Sequence, residues 1–332
     1  MKRLAIIGGG SWGTALAIVL APRCSRIRLW IYEPDLARRV ADTRLNDVYL
    51  PGLTVPPNVS VTNSLPEALD GTEAVLGVMP SHLAREIYRE MLPSLTPGMV
   101  FVSATKGLEN GTSLRVSQVI QAVVGERFAP RVGVLSGPTF AREVAGGNPT
   151  ALVIASEDAE LAHCIQTWFS GPTFRLYTSP DPTGVEIGAA LKNVIALGAG
   201  VCSGLGLGHN TLAALITRGL AEMTRLAIAM GGHARTLSGL AGLGDLILTC
   251  TGDLSRNRQV GIELAAGRML SEIVSSMRMV AEGIKTTSSA AELARRHGVD
   301  LPIVEQMHAV LQLGRAPAEA LRQLMDRALK GE

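Results

Sequence analysis

Excess charge is what this sequence most lacks. Its 31 basic and 29 acidic residues leave a formal +2, and no basic run gathers them. The clustered positive surface that a polyanion demands is missing, so nucleic acid is not an expected partner. Cysteine is scarce as well. Cys24, Cys164, Cys202 and Cys250 stand far apart, which gives neither a disulfide framework nor a metal-binding pair. They read as structural thiols in a reducing, cytoplasmic setting, and no metal is expected. Internal repeats and low-complexity tails are absent, and only 18% of residues are charged against 47% hydrophobic. That balance excludes a disordered chain, and 332 residues exceed what one core usually serves, so two domains are expected.

A clean membrane span is lacking too. Leu4–Pro22 carries no formal charge behind Lys2 and Arg3, but Gly8, Gly9, Gly10 and Gly13 interrupt it. A strand, a tight turn and a buried helix explain it better than a signal peptide. The apolar stretch from Ile187 to Thr217 contains Lys192 and many glycines, so no stable span is expected there either.

What the chain does have is alternation. Short apolar runs at Leu4–Ile7, Ile27–Tyr32, Val59–Thr62, Ala74–Met79, Val100–Ala104, Val132–Leu135 and Ala151–Ala155 read as strands. Helical patterns fit Trp12–Leu20, a segment opened by Pro34, Leu83–Met91 and Leu114–Val124. Strands separated by helices predict a mostly parallel, doubly wound α/β sheet. The proline-rich stretch Gly171–Pro182 reads as a loop and a domain boundary. Beyond it the pattern is helical, through Val185–Ala199, Leu212–Met230, Arg258–Ala266, Ala290–His297 and Ile303–Leu311. The expected division is therefore a Rossmann-type domain over residues 1–180 and an all-helical domain over 181–332.

Residues 8–13 read G-G-G-S-W-G, a G-x-G-x-x-G match between the first strand and the first helix. That context gives the pattern meaning. Gly8 permits the tight turn, Gly10 lets backbone approach a pyrophosphate, and Gly13 allows close helix–strand packing. The helix start offers N–H groups and a positive dipole end. The second strand should end at the adenosine ribose, at Tyr32 and Glu33, where a carboxylate accepts from ribose hydroxyls. The alternative is that Glu33 only stabilises the next helix.

Several polar residues stand in otherwise apolar surroundings. Ser81-His82 and Lys106 follow strand candidates, at the sheet edge where ligands gather. Lys192 is the only Lys, Arg, Asp or Glu between Ile187 and Thr217. It either snorkels outward or sits in a pocket as a proton donor. Asp245, in G-L-G-D-L, is a carboxylate able to pair with it. Ser255, Arg256, Asn257 and Arg258 form a cluster suited to phosphate, or else an ordinary helix cap.

Together these residues resemble the NAD(P)-dependent glycerol-3-phosphate dehydrogenases, bacterial biosynthetic branch, over nearly the whole chain. The stretches that carry the likeness are GGGSWGTALA at 8–17, YLPG at 49–52, MPSH at 79–82, ATKGLE at 104–109 and SGPTFAREVAGGNPTA at 136–151. They continue with GVEIGAALKNVIALGAG at 184–200, AALITRGLAEM at 213–223, GLGDLILTCTGDLSRNR at 242–258 and VAEGIKTTSSA at 280–290. The resemblance implies reduction of dihydroxyacetone phosphate to sn-glycerol 3-phosphate for phospholipid synthesis. It implies cofactor contacts at Ser11, Trp12, Lys106, Ala141, Arg256, Val280 and Glu282. It further implies substrate contacts at Lys106, Gly137, Thr139, Lys192, Asp245, Ser255, Arg256 and Asn257, with Lys192 as proton carrier, assisted by Lys106 and Asp245. A small-molecule substrate is the expected partner, and a homodimer is left open.

The chain departs from its relatives in three places. Ser203 stands where many members carry aspartate, and His209 where an acidic residue is common. Strand two ends L-W-I-Y-E-P, with Tyr32 and Glu33 in place of the basic residue that meets the 2′-phosphate of NADP. Both cofactors are expected to work, with NAD preferred, although Arg28, Arg38 and Arg39 lie near enough to compensate. The competing readings are another two-domain dehydrogenase of the beta-hydroxyacid or ketopantoate type, and a catalytically silent NAD(P)-sensing protein.

Overall fold

The computed structural model describes residues 2–277, 281–329 and 331. The chain forms two compact units, Met1–Glu109 with Leu114–Glu186, and Asn110–Ser113 with Ile187–Glu332.

The first unit is built on eight strands: β1 (Arg3–Ile7), β2 (Arg26–Trp30), β3 (Val59–Thr62), β4 (Ala74–Gly77), β5 (Val100–Ser103), β6 (Arg131–Ser136), β7 (Thr150–Ala155) and β8 (Phe174–Ser179). They lie in the order β3-β2-β1-β4-β5-β6-β7-β8. Every pairing is parallel except β6 with β7. The chain moves outward from β1 to β3, then crosses back to β4. This leaves a switch point beside the end of β1, where a doubly wound sheet binds ligands.

Helices α1 (Ser11–Leu20), α2 (Pro34–Thr43), α3 (Leu65–Leu69), α4 (Ala84–Met91), α5 (Val116–Val124), α6 (Ala141–Ala145) and α7 (Ala159–Phe169) flank the sheet. Strand β1 shows why both faces need cover. Leu4 and Ile6 join a core with Leu16, Leu20, Val40 and Phe169. Ala5 and Ile7 join the opposite core with Leu69, Tyr88, Met91 and Val123. A strand buried on both faces reads as a continuous apolar run, which explains why β1 carries no alternation.

The segment expected to mark the boundary holds a strand. Gly171–Pro182 is not a loop, because β8 runs through it. Phe174 and Leu176 are buried while Arg175 and Tyr177 are exposed, the alternation of an edge strand with one covered face. Its flanking prolines stand outside the strand, where no ladder N–H is lost. The two compact units divide after Glu186, inside a helix and six residues beyond the expected 180/181 division. Helix α7 was not foreseen either. Asp158 caps it, accepting from Leu161 N at 3.0 Å.

The second unit is helical: α8 (Pro182–Gly204), α9 (His209–Ala229), α10 (Ala234–Leu237), α11 (Asp245–Thr251), α12 (Arg256–Ala265), α13 (Leu270–Ser276), α14 (Glu282–His297), α15 (Pro302–Gln312) and α16 (Pro317–Met325). Among the described residues α8 alone is long and apolar enough to cross a membrane, yet its apolar stretch is wholly buried. It is a core helix, apolar all round because it is covered all round. Its first turn is tied down by Glu186, which accepts from Ser117 N at 2.8 Å, Ser117 Oγ at 2.5 Å and Arg115 at 2.8 Å. Further on, α8 and α12 touch backbone to backbone. A Cβ on Gly200 would lie 1.9 Å from the carbonyl oxygen of Arg258, and one on Gly261 would lie 2.0 Å from that of Leu197. Residues 110–113 join this unit through Ser113 Oγ, which donates to Glu292 at 3.0 Å, and through Arg296, which donates to the Thr112 carbonyl at 3.2 Å.

Glu222 of α9 does similar work at α15. It is buried, and its carboxylate accepts from Ile303 N at 2.7 Å and Val304 N at 3.2 Å, donors that the helix itself cannot satisfy. Burial nevertheless pushes its pKa up to about 7, against the pull of those two bonds. The folded state therefore holds this proton where the unfolded state, near 4.5, has lost it. The stability it contributes is full below pH 4.5 and is lost as pH rises through about 7. Glu222→Gln should flatten that decline, which is at most about 1.4 kcal/mol per pH unit. Urea titrations of both proteins from pH 4.5 to 8 check it, and parallel curves would reject the assignment.

Candidate active-site residues

The glycine turn fits a dinucleotide pyrophosphate by its steric demands. Gly8 has φ +121°, and a Cβ there would lie 2.7 Å from the Val78 carbonyl oxygen. A Cβ on Gly13 would lie 1.8 Å from the Gly8 carbonyl oxygen. Both positions are closed to any other residue. At Gly10 a Cβ would meet nothing within 4 Å, which leaves open room beside the backbone. Gly10 is also the N-cap of α1, and no side chain caps that helix start, where an anion is favoured. The buried indole Nε1 of Trp12 has no hydrogen-bond partner among the described residues, a donor left for a bound molecule.

Beyond β2 the two expected ribose contacts differ. Tyr32 is 72% exposed, its ring edge-on to Trp30 at 6.0 Å. Glu33 is the N-cap residue of α2, yet its side chain makes no cap bond. Its Oε1 instead accepts from the Tyr49 hydroxyl at 2.6 Å. That bond, with burial, raises the tyrosine pKa to about 12. The neighbouring arginines are engaged: Arg28 with Asp70 at 3.1 Å, Arg38 with Asp35 at 3.5 Å and Arg39 with Asp47 at 3.1 Å.

At the same sheet edge, Lys106 follows β5 and the Gly137–Thr139 turn follows β6. Lys106 Nζ donates to the Gly137 carbonyl at 3.1 Å and to Thr139 Oγ1 at 3.2 Å. Gly137 has φ +152°, and a Cβ would lie 2.8 Å from Leu152. Ala141 is the first residue of α6. Ser81 and His82 form a short helical turn after β4.

In the second unit Lys192 does not snorkel. It is 5% exposed, ion-paired with Asp245 at 1%, and it donates to Thr249 Oγ1 at 3.0 Å. Thr249 in turn donates to the Asp245 carbonyl at 2.6 Å. Asp245 opens α11 after a π-helical turn over Leu240–Gly244, an irregularity common at functional sites. Asn193, next along α8, turns elsewhere. Its Oδ1 accepts from Asn257 Nδ2 at 3.0 Å, and Asn257 Oδ1 accepts from Gly283 N at 3.0 Å. Ser255 caps α12, accepting from Arg258 N at 3.3 Å. Arg256 is an exposed residue whose guanidinium pKa is lowered by partial desolvation, against the raising pull of Glu282. Val280 lies outside the described residues. No cluster of three or more His, Cys, Asp or Glu suited to a metal occurs among the described residues.

Sequence reasoning missed Thr249, Asn46 and Tyr49. Thr249 was within reach, because it stands four residues after Asp245 on one helix face. Asn46 and Tyr49 lie in an irregular loop, where spacing carries no information about contacts.

The fold and these residues define a dinucleotide-binding α/β unit followed by a helical unit carrying a buried lysine–carboxylate pair. Residues 3–162 match the family described as NAD-dependent glycerol-3-phosphate dehydrogenase N-terminus, and residues 181–322 match its C-terminus. The chain belongs to this NAD-dependent glycerol-3-phosphate dehydrogenase family. It is 57% identical to the glycerol-3-phosphate dehydrogenase [NAD(P)+] of Koribacter versatilis, covering 98% of each chain. It is 51% identical to that of Geobacter sulfurreducens, covering 100% of this chain and 99% of the relative. The crystal structure of glycerol-3-phosphate dehydrogenase from Coxiella burnetii superposes with a TM-score of 0.94 at 37% identity, over 98% of this chain and 99% of that one.

Removing Asp245 would leave the Lys192 ammonium buried without its carboxylate. Asp245→Ala should therefore cost about 3–5 kcal/mol of stability. Denaturant unfolding measures it, and a loss below about 1 kcal/mol would show that the pair is not the anchor of this region.

Proposed function

We propose that this chain is an NAD(P)-dependent sn-glycerol-3-phosphate dehydrogenase that reduces dihydroxyacetone phosphate reversibly, in the cytoplasm, for glycerophospholipid synthesis. The observation that carries the proposal is the buried Lys192–Asp245–Thr249 triad on a chain of this family. A bound nicotinamide supplies the hydride that reaches the carbonyl carbon. The chain's own residues handle charge and position. Lys192 stabilises the negative charge developing on the carbonyl oxygen and gives it a proton. Asp245 holds the Lys192 ammonium in place. Lys106, with Gly137 and Thr139, adds positive field and binds substrate. Ser255, Arg256 and Asn257 take the phosphate, a remote handle whose binding energy is used for alignment.

In this proposal the first unit holds the cofactor, through Gly8, Gly10, Ser11, Trp12, Gly13, Tyr32, Glu33, Lys106 and Ala141. By the family resemblance, Arg256, Val280 and Glu282 are further cofactor contacts. NAD is the preferred form, because Glu33 accepts from a ribose 2′-hydroxyl and repels a 2′-phosphate. The engagement of the largely buried Arg28 side chain with Asp70 supports this. A beta-hydroxyacid or ketopantoate enzyme is disfavoured by the full-length family match, and a silent sensor by the intact lysine pair.

Following reduced-cofactor absorbance with dihydroxyacetone phosphate tests the activity directly. Lys192→Ala should cut kcat by at least about a hundredfold while cofactor binding persists. Near-normal turnover in a folded variant would sink the assignment. Arg256→Ala should lower kcat/KM for dihydroxyacetone phosphate by at least about tenfold, the scale of a charge-assisted phosphate contact, with the melting temperature unchanged. An unchanged kcat/KM would place the phosphate elsewhere.

A further inference from the structure

The loop after α2 is bolted to the glycine turn. Asn46 is fully buried, and its Nδ2 donates to the Gly9 carbonyl at 2.9 Å and to Thr14 Oγ1 at 2.8 Å. Its Oδ1 accepts from Tyr49 N at 3.1 Å, and its carbonyl accepts from Leu50 N at 2.9 Å. One amide thus fixes the backbone that carries Tyr49 to the turn that fits the pyrophosphate. From that frame the Tyr49 hydroxyl donates to Glu33 Oε1 at 2.6 Å. Glu33 Oε2 has no hydrogen bond from a described residue, so one oxygen is held and the other is available as an acceptor.

We infer that Tyr49 is a specificity-determining residue, which orients the Glu33 carboxylate toward the adenosine ribose and so favours NAD over NADP. The inference rests on the proposed placement of Glu33 at the ribose. An unheld glutamate would lose rotamer freedom on meeting the 2′-hydroxyl, and could swing away from a 2′-phosphate. Held by Tyr49, it does neither. Its ordering is complete before the cofactor arrives, and its charge stays where a 2′-phosphate would have to sit.

The test compares wild type, Tyr49→Phe and Glu33→Gln with NADH, NADPH and 2′-deoxy-NADH, dihydroxyacetone phosphate being saturating. Tyr49→Phe should lower kcat/KM for NADH by about tenfold, the worth of one hydrogen bond to a charged group. The change should fall in KM, with kcat steady and with NADPH not impaired. With 2′-deoxy-NADH, which lacks the hydroxyl, wild type and Tyr49→Phe should match. Glu33→Gln should move the NADH/NADPH ratio toward NADPH by about tenfold or more. Equal losses with all three cofactors in Tyr49→Phe would reduce Tyr49 to packing and overturn the inference. An unchanged ratio in Tyr49→Phe beside a shifted one in Glu33→Gln would overturn it while leaving Glu33 at the ribose. An unchanged ratio in Glu33→Gln would remove Glu33 from the ribose and the inference with it. Should Tyr49→Phe fail to fold, Tyr49→Leu, which also lacks the hydroxyl, carries the same comparison.

Discussion

A charge in an apolar helix is the constraint around which the second unit is arranged. Taking an ammonium out of water costs several kcal/mol unless a partner of excellent geometry compensates. Lys192 lies mid-way along α8, among residues that are buried and, apart from Asn193, apolar on either side. Its location requires a carboxylate at the same depth, and Asp245 is that carboxylate. Asp245 in turn needs a helix start delivered to α8, which the π-helical turn and α11 provide. Thr249 supplies a second acceptor for the ammonium and is fixed by its own bond to the Asp245 carbonyl. Such a triad is costly as a stabilising device, since a well-packed apolar trio would hold the fold as well. Under the proposed function, its use is to hold one proton donor aimed at the substrate.

The first unit shows the same economy in backbone terms. Gly13 brings α1 so close to the end of β1, and Gly8 brings the turn so close to the segment after β4, that a single methyl group would collide with a carbonyl. Closeness at these positions gives the helix start its place at the switch point, and Gly10 leaves the room beside it. Asn46 extends this rigid frame into a loop that has no regular structure of its own. Rigidity therefore reaches the end of β2 through one buried amide rather than through secondary structure.

Much of this was legible in the residues, and the pattern of misses is physical. Strands buried on both faces announce themselves as apolar runs, so β1, β4 and β5 were clear. The G-x-G-x-x-G spacing has one dominant structural explanation when a strand precedes it and a helix follows. Lys192 was conspicuous because burial makes an isolated charge expensive. Strand β8 was hidden because only one of its faces is covered, and because prolines at its margins mimic a loop. Helix α7 was hidden behind a modest apolar stripe, although Asp158 three residues before Leu161 was a readable cap. The division was read at 180/181 from the change to helical pattern, and the compact units part after Glu186, inside helix α8, where no local signal marks the exact residue. Tyr49 and Asn46 belong to the remaining class: contacts across a folded loop have no period.

The departure at Ser203 becomes intelligible in these terms. Ser203 lies in the last turn of α8, where its Oγ donates to the Ala199 carbonyl at 3.0 Å and accepts from Arg258 at 3.4 Å. Arg258 also pairs with Asp253 at 3.2 Å, on the turn that leads into Ser255 and Arg256. An aspartate at 203 would compete for the same guanidinium and draw it toward α8. Serine offers one weak acceptor, so the arginine keeps its charge pairing with Asp253. That pairing braces the entry to α12, and the N–H of Arg258 itself completes the Ser255 cap. The altered residue thus leaves Lys192 and Asp245 untouched and shifts support toward the loop that presents Arg256. Asp253 is almost fully exposed, so this brace weakens with salt, whereas the buried triad does not.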